Sequence, residues 1–240
     1  MHLTILVRAA IVLLAVVLSA CSTGPNPIFQ TLQQVVKWDE NAATAYLNPN
    51  FLYLRVVVDG RVVFLALGNE DLDPRGPIEV WFSAEREVLR FQKGRLVGAV
   101  GLPAEWRHVS FPGSLPSWHA IAQSGQPVLL TRVRDVMPGY LFGVRDDLVL
   151  RVISPPNKNE LRDVDPQSLT WFEEQVDPEQ STGSLMVGAS HIIGKTLPPA
   201  RYAVDLRGDK ETVVYGEQCL ATDLCFSWQR WPAAIQAAGK

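Results

Sequence analysis

The chain is poor in the residues that most often carry chemistry. Its 240 residues include three cysteines and four histidines. The histidines, at 2, 108, 119 and 191, show no His-x₃-His or HExxH spacing. A protein zinc site needs three or four ligands brought close together, so no metal is expected, and His108, His119 and His191 read as surface or packing residues. There is no G-x-S-x-G elbow, no P-loop and no D-x-D-x-D-G loop. Their absence removes the standard signatures of an elbow serine nucleophile, a phosphate cradle and an EF-hand calcium site. Gly183-Ser184 and Ser190-His191 are isolated pairs without the context of a triad. A basic excess is missing too: 22 basic against 25 acidic side chains give a net charge of −3. That balance argues against nucleic acid, or a polybasic membrane contact, as a partner. Nor is there a run long enough to span a bilayer, since the apolar stretch at 9–18 (AAIVLLAVVL) falls short of the ~20 residues needed.

That short run has a different meaning. Arg8 precedes it, and Leu18-Ser19-Ala20-Cys21 closes it. A positive start, a brief apolar core and small residues at the exit describe a secretory signal. Here the small pair runs directly into cysteine, the pattern of a bacterial lipoprotein signal. The expected mature chain starts at Cys21, acylated on its thiol and then on its amine. Two or more acyl chains, at roughly 0.8 kcal/mol per buried CH₂, anchor stably where one does not. Ser22, rather than Asp, follows the cysteine and favours the outer membrane, with the domain facing the periplasm. Residues 22–27 (STGPNP) read as a flexible tether. The remaining chain, 28–240, is expected to be one domain.

The pattern within it is mostly that of strands. Helical spacing of Ile28, Leu32, Val35 and Val36 predicts a short amphipathic helix over 28–46. From residue 51 the period shortens. Runs at 51–58 and 61–67 flank Asp59-Gly60, the strongest hairpin signal in the chain. Their nearly continuous apolar character predicts a hairpin covered on both faces. Further strands are predicted at 78–83, 88–92, 95–100, 128–136, 140–145, 148–153, 169–176, 185–193, 201–206, 211–220 and 224–231. Turn residues separate them at close spacing, with Asp146-Asp147 read as one such turn. Residues 105–126 read as an irregular loop, 154–166 as a polar loop and 233–240 as a frayed tail. The fold class is therefore all-β: a large antiparallel meander sheet folded on itself, sandwich- or barrel-like, with a short N-terminal helix.

With Cys21 set aside, Cys219 and Cys225 form an even pair in an oxidising compartment, and a disulfide is the expected state. It closes a short loop, so its contribution falls at the modest end of ~2–4 kcal/mol. Glu173-Glu174 lie beside Trp171-Phe172 and should point to opposite faces of a strand. Trp106, Phe111 and Trp118 can be read as a glycan-stacking platform or as a plug at one end of the fold, and the plug is favoured.

The motifs Trp81, Ser83-Ala84-Glu85-Arg86, Gly94-Arg95-Leu96-Val97 and Gly101-Leu102-Pro103 follow the Asp59-Gly60 hairpin. Arg201-Tyr202-Ala203-Val204-Asp205 and Glu217-Gln218-Cys219-Leu220 lie near the C-terminus. In this order, behind a lipobox, they resemble the YjbF/GfcB lipoproteins of exopolysaccharide and group 4 capsule systems. Glu85 stands where those proteins have Asp, Ala203 where they have an aromatic, and the Cys219/Cys225 pair is a local addition. The resemblance implies a non-enzymatic outer-membrane lipoprotein assisting secretion or assembly of an extracellular polysaccharide. Its implied partners are the export machinery or the polysaccharide itself, and it carries over no catalytic residue. A periplasmic polysaccharide-modifying enzyme and a lipid or lipoprotein carrier are the alternatives.

Overall fold

The computed structural model describes residues 44–45, 47–177, 196–208 and 210–233. Twelve strands follow one another: β1 (Tyr53–Val58), β2 (Arg61–Asp71), β3 (Ile78–Phe82), β4 (Val88–Gln92), β5 (Arg95–Val100) and β6 (Glu105–Ser110), then β7 (Val128–Met137), β8 (Leu141–Ile153), β9 (Thr170–Val176), β10 (Ala200–Asp205), β11 (Thr212–Ala221) and β12 (Leu224–Trp231). Each pairs antiparallel with its sequence neighbours, and β1 also pairs with β12, so the meander closes into a barrel. Closure leaves no sheet edge to cover. The thinnest seam is β5–β6, paired only at Ala99↔Trp106.

Turn chemistry fixes the tight hairpins. Asp59 and Gly60 both have positive φ (49° and 72°), as a two-residue primed turn requires. Lys93-Gly94 repeats the device between β4 and β5. The hairpin β1–β2 is covered on both faces only along β1, where Leu54 to Val57 are all buried; β2 is largely open outward.

Three expectations change. The Asp146-Asp147 turn does not exist: both lie inside the single thirteen-residue strand β8, with Arg132↔Asp146 and Thr131↔Asp147 opposite each other. The irregular stretch 105–126 contains β6 and a helix, α1 (Trp118–Ser124), capped by the Ser117 side chain and ended by Gly125 at φ 62°. The polar loop at 154–166 lies flat on the barrel wall. There Leu161 and Val164 pack on Leu169, Trp171, Ala203, Val214 and Tyr215. The Arg162 backbone exchanges two hydrogen bonds with the buried Gln229 side chain (2.8 and 2.7 Å). The predicted helix lies outside the described residues apart from 44–45, which are helical. Cys21, the strand at 185–193 and the tail beyond residue 233 also lie outside them.

A ring of twelve strands is wider than the eight-stranded barrels whose interiors ordinary side chains just fill. Large residues occupy the difference. Trp81, Trp106, Trp118 and Trp228 belong to one buried cluster with Phe91, Phe172 and Tyr202. Helix α1 carries Trp118 and Ile121 into that cluster, where the Trp118 ring lies 4.9 Å from Phe172 and 5.2 Å from Tyr202. Gly216 faces Trp228 so closely that a Cβ would come within 2.3 Å of the indole. Gly216→Ala is expected to lower unfolding free energy by about 1–3 kcal/mol through overpacking. Gly113→Ala, where a Cβ meets open space, should leave it unchanged; urea unfolding followed by near-UV circular dichroism measures both.

Candidate functional site

The barrel centre is charged. On β7, Arg132 and Arg134 share the inward face with Leu130 and Val136, and on β8 Asp146 shares it with Leu148 and Leu150. Arg132 donates from Nε to Asp146 Oδ2 (2.9 Å) and from Nη1 to Glu174 Oε1 on β9 (3.0 Å). Arg134 binds the same aspartate with a two-point grip, Nε to Oδ2 at 2.5 Å and Nη2 to Oδ1 at 2.8 Å. Both guanidinium carbons lie 4.7 Å from the centre of the Trp106 ring. The Arg95 guanidinium lies 3.9 Å over Trp118. It is 1 % exposed, and its Nε and Nη2, like Glu174 Oε2, have no hydrogen-bond partner among the described residues.

Burial acts on each of these groups. It would raise the Asp146 pKa, but the charge of Arg132 and the hydrogen bonds and charge of Arg134 outweigh it and hold the carboxyl below its usual value. Burial lowers the pKa of Arg95, against the partial compensation of Glu174. It also raises the Tyr202 phenol, and the Glu174 charge adds to that shift. With three guanidiniums and two carboxylates, the cluster relies on indole faces for part of its compensation.

Among the described residues, two grooves lie on the outer wall. One, of about 380 Å³, runs between the 111–115 segment and β7–β8, with Leu129, Thr131, Arg145 and Asp147 on its sides. The other, of about 370 Å³, lies over β10–β12 beside the 154–169 strap and is lined by Asp59, Glu160, Arg201, Tyr215, Glu217 and the Cys219–Cys225 disulfide. In it, Tyr215 donates to Glu217 Oε1 (2.7 Å) and Arg201 Nη1 reaches Oε2 (3.2 Å). Arg201 also contacts Glu173, which Arg151 binds at 2.7 Å.

Cys219 and Cys225 are bonded across the β11–β12 hairpin. Glu173 faces outward and Glu174 inward, as their adjacency on a strand requires. The stacking platform at Trp106, Phe111 and Trp118 is corrected: they are 0, 5 and 2 % exposed, so no ring face is open to a sugar. Trp106 donates to Leu220 O (3.1 Å) and Trp118 to Lys93 O (3.2 Å), which ties both indoles to the barrel wall. His119 places Nδ1 3.0 Å from Glu211 and Nε2 3.2 Å from Leu206 O, at the start of α1. His108 is exposed on β6. His191, Ser184 and Ser190 lie outside the described residues. Among the described residues no three His, Cys, Asp or Glu side chains group to hold a metal. Sequence reasoning read none of Arg95, Arg132, Arg134 and Asp146 as a site residue; for the β7 pair the signal was the alternation Leu130, Arg132, Arg134, Val136, which puts charge on an apolar face.

No family model and no curated protein matches the chain. Among solved structures it is similar to the hypothetical lipoprotein YmcC of Escherichia coli K12, at 15 % identity, covering 75 % of this chain and 83 % of that one, with a TM-score of 0.47.

Removing Asp146 leaves two buried guanidiniums without their main partner. Asp146→Ala is expected to cost about 3–5 kcal/mol, whereas Arg95→Met, which deletes unsatisfied donors, should not lower stability. Because the folded pKa of Asp146 is depressed, its contribution is complete above the unfolded value of about 4 and is lost as pH falls through the folded one. Thermal unfolding as a function of pH should show that acid loss in the wild type and a smaller one in Asp146→Asn.

Proposed function

We propose that the chain is a lipid-anchored, non-enzymatic accessory protein of the outer membrane that assists export or assembly of an extracellular polysaccharide. The reading joins the lipobox ending at Cys21 to the motif resemblance. The observation that carries its non-enzymatic part is where those motifs lie. Trp81, Arg95 and Tyr202 are buried in the barrel interior, and Gly94 and Gly101 serve turns at positive φ. The shared residues thus build a scaffold, and the working surface is the outer wall. The carrier alternative asks for an apolar void, whereas the centre of this barrel holds indoles and ion pairs.

A second reading has one observation in its favour: Asp59, Glu160 and Glu217 line the groove over β10–β12. A polysaccharide-modifying enzyme would use such carboxylates as an acid–base pair. Against it, Tyr215 and Arg201 already occupy both Glu217 oxygens. Cleavage of the cognate polysaccharide by the purified chain, abolished in Glu160→Gln or Glu217→Gln, would favour the enzyme.

Cys21→Ser is expected to move the protein from the membrane pellet to the soluble fraction, as fractionation and immunoblotting would report. Deleting the gene should reduce surface or secreted polysaccharide, and unchanged export would overturn the export role.

A further inference from the structure

The outer wall of the barrel is chemically divided. Along β8 to β11 it carries an ion-pair ladder, Arg145–Asp147 and then Arg151–Glu173–Arg201–Glu217. Across the seam where the barrel closes, it carries an aromatic row. Trp231 on β12 is paired with Tyr53 on β1, Tyr53 with Ala66 on β2, and Ala66 with Phe82 on β3. These four share the outward face, because their neighbours Leu54, Leu65 and Trp81 point inward. Phe64, also outward on β2, lies 5.9 Å from the Trp231 ring. Phe82 is 44 % exposed and rests on Gly68, where a side chain would displace it. The chain enters β1 through this patch: Phe51 and Leu52, immediately before Tyr53, are 49 and 46 % exposed.

We propose that this aromatic face rests on the lipid leaflet that holds the acyl chains of Cys21, a proposal that depends on the anchor reading above. Three observations select a lipid surface as the occupant. Residues 51–53 belong to the patch and lie where the chain coming from Cys21 enters β1, so the linking chain reaches the barrel on this side. The patch combines Trp and Tyr, which settle at the headgroup level, with Phe and Leu, which enter the acyl boundary. The charged ladder excludes β8–β11 from the same contact, since ion pairs there would lose water. The strand opposite the seam is β7, six steps from β1 in either direction round the ring. Its exposed Leu129 (68 %) therefore faces away from the leaflet.

The test uses the full chain, expressed with its own signal and mixed with phosphatidylethanolamine/phosphatidylglycerol vesicles. A single added cysteine carries an environment-sensitive fluorophore, at Phe82→Cys in one protein and Leu129→Cys in another, and spin-labelled lipid is the quencher. Flotation reports the anchor and quenching reports the face. Protein that floats, with loss of emission at position 82 and none at 129, is the expected result. Protein that floats with equal quenching at both positions, or none at either, overturns the face while leaving the anchor intact. Protein that fails to float overturns the anchor reading and this proposal with it. Leu52→Cys is the second label position should Phe82→Cys not fold, with the same outcomes.

Discussion

Everything in this barrel follows from its width. Twelve strands closed edge to edge enclose more space than aliphatic side chains reach across, and packing at crystal-like density leaves no room for voids. Indoles and guanidiniums, the longest flat groups available, meet at the centre. They also solve each other's problem. Burying three arginines against two carboxylates leaves a positive excess that desolvation makes expensive, and the π faces of Trp106 and Trp118 take part of it. Asp146 holds two like charges on one strand face by binding both.

A second layer distinguishes one side of the wall from another. The strap at 154–169 covers part of the outward face of β9–β12 and β1, around Trp171, Ala203, Tyr215, Gln229 and Arg55, with Glu160 N donating to the Tyr215 hydroxyl at 3.0 Å and Arg55 reaching Glu160 O at 3.2 Å. This explains why β1 is apolar on nearly every residue, while β2, one strand further round, is open outward. It also explains the small residue at Ala203. Ala203 pairs with Trp171 on one side and Tyr215 on the other, and those rings meet across it at 5.7 Å. A ring at 203 would occupy the space in which Trp171 and Tyr215 touch.

Much of this architecture was legible from local chemistry. Asp59-Gly60 announces its hairpin because only a few residues accept two positive φ angles in succession, and Cys219 and Cys225 flank a turn short enough to bring them face to face. What escaped depends on the partner strand. Asp146-Asp147 resembles a turn until Arg132 and Thr131 are known to lie opposite. β6 hides its period because a register shift between Trp106 and His108 breaks the alternation, and seven residues are too few for α1 to display a helical stripe. Trp106, Phe111 and Trp118 carry no mark of inside or outside. Only the diameter of the ring, a property of the whole chain, assigns them to the interior.

The buried charges also bear on register. Strands apolar on both faces, such as β1, give little penalty for sliding by one residue, although such a slip turns every side chain to the other face. In β8 the penalty is large. A slip of one residue would bring Arg145, Asp147, Val149 and Arg151 inward and send Leu148 and Leu150 out. Two more guanidiniums would then join the three already buried, with only Asp147 replacing Asp146 against them. The outward arginines of β8, which look like ordinary surface charge, therefore act with Asp146 to fix one pairing of β7, β8 and β9. Because each strand in a closed meander takes its register from its neighbours, fixing that one pairing constrains the ring.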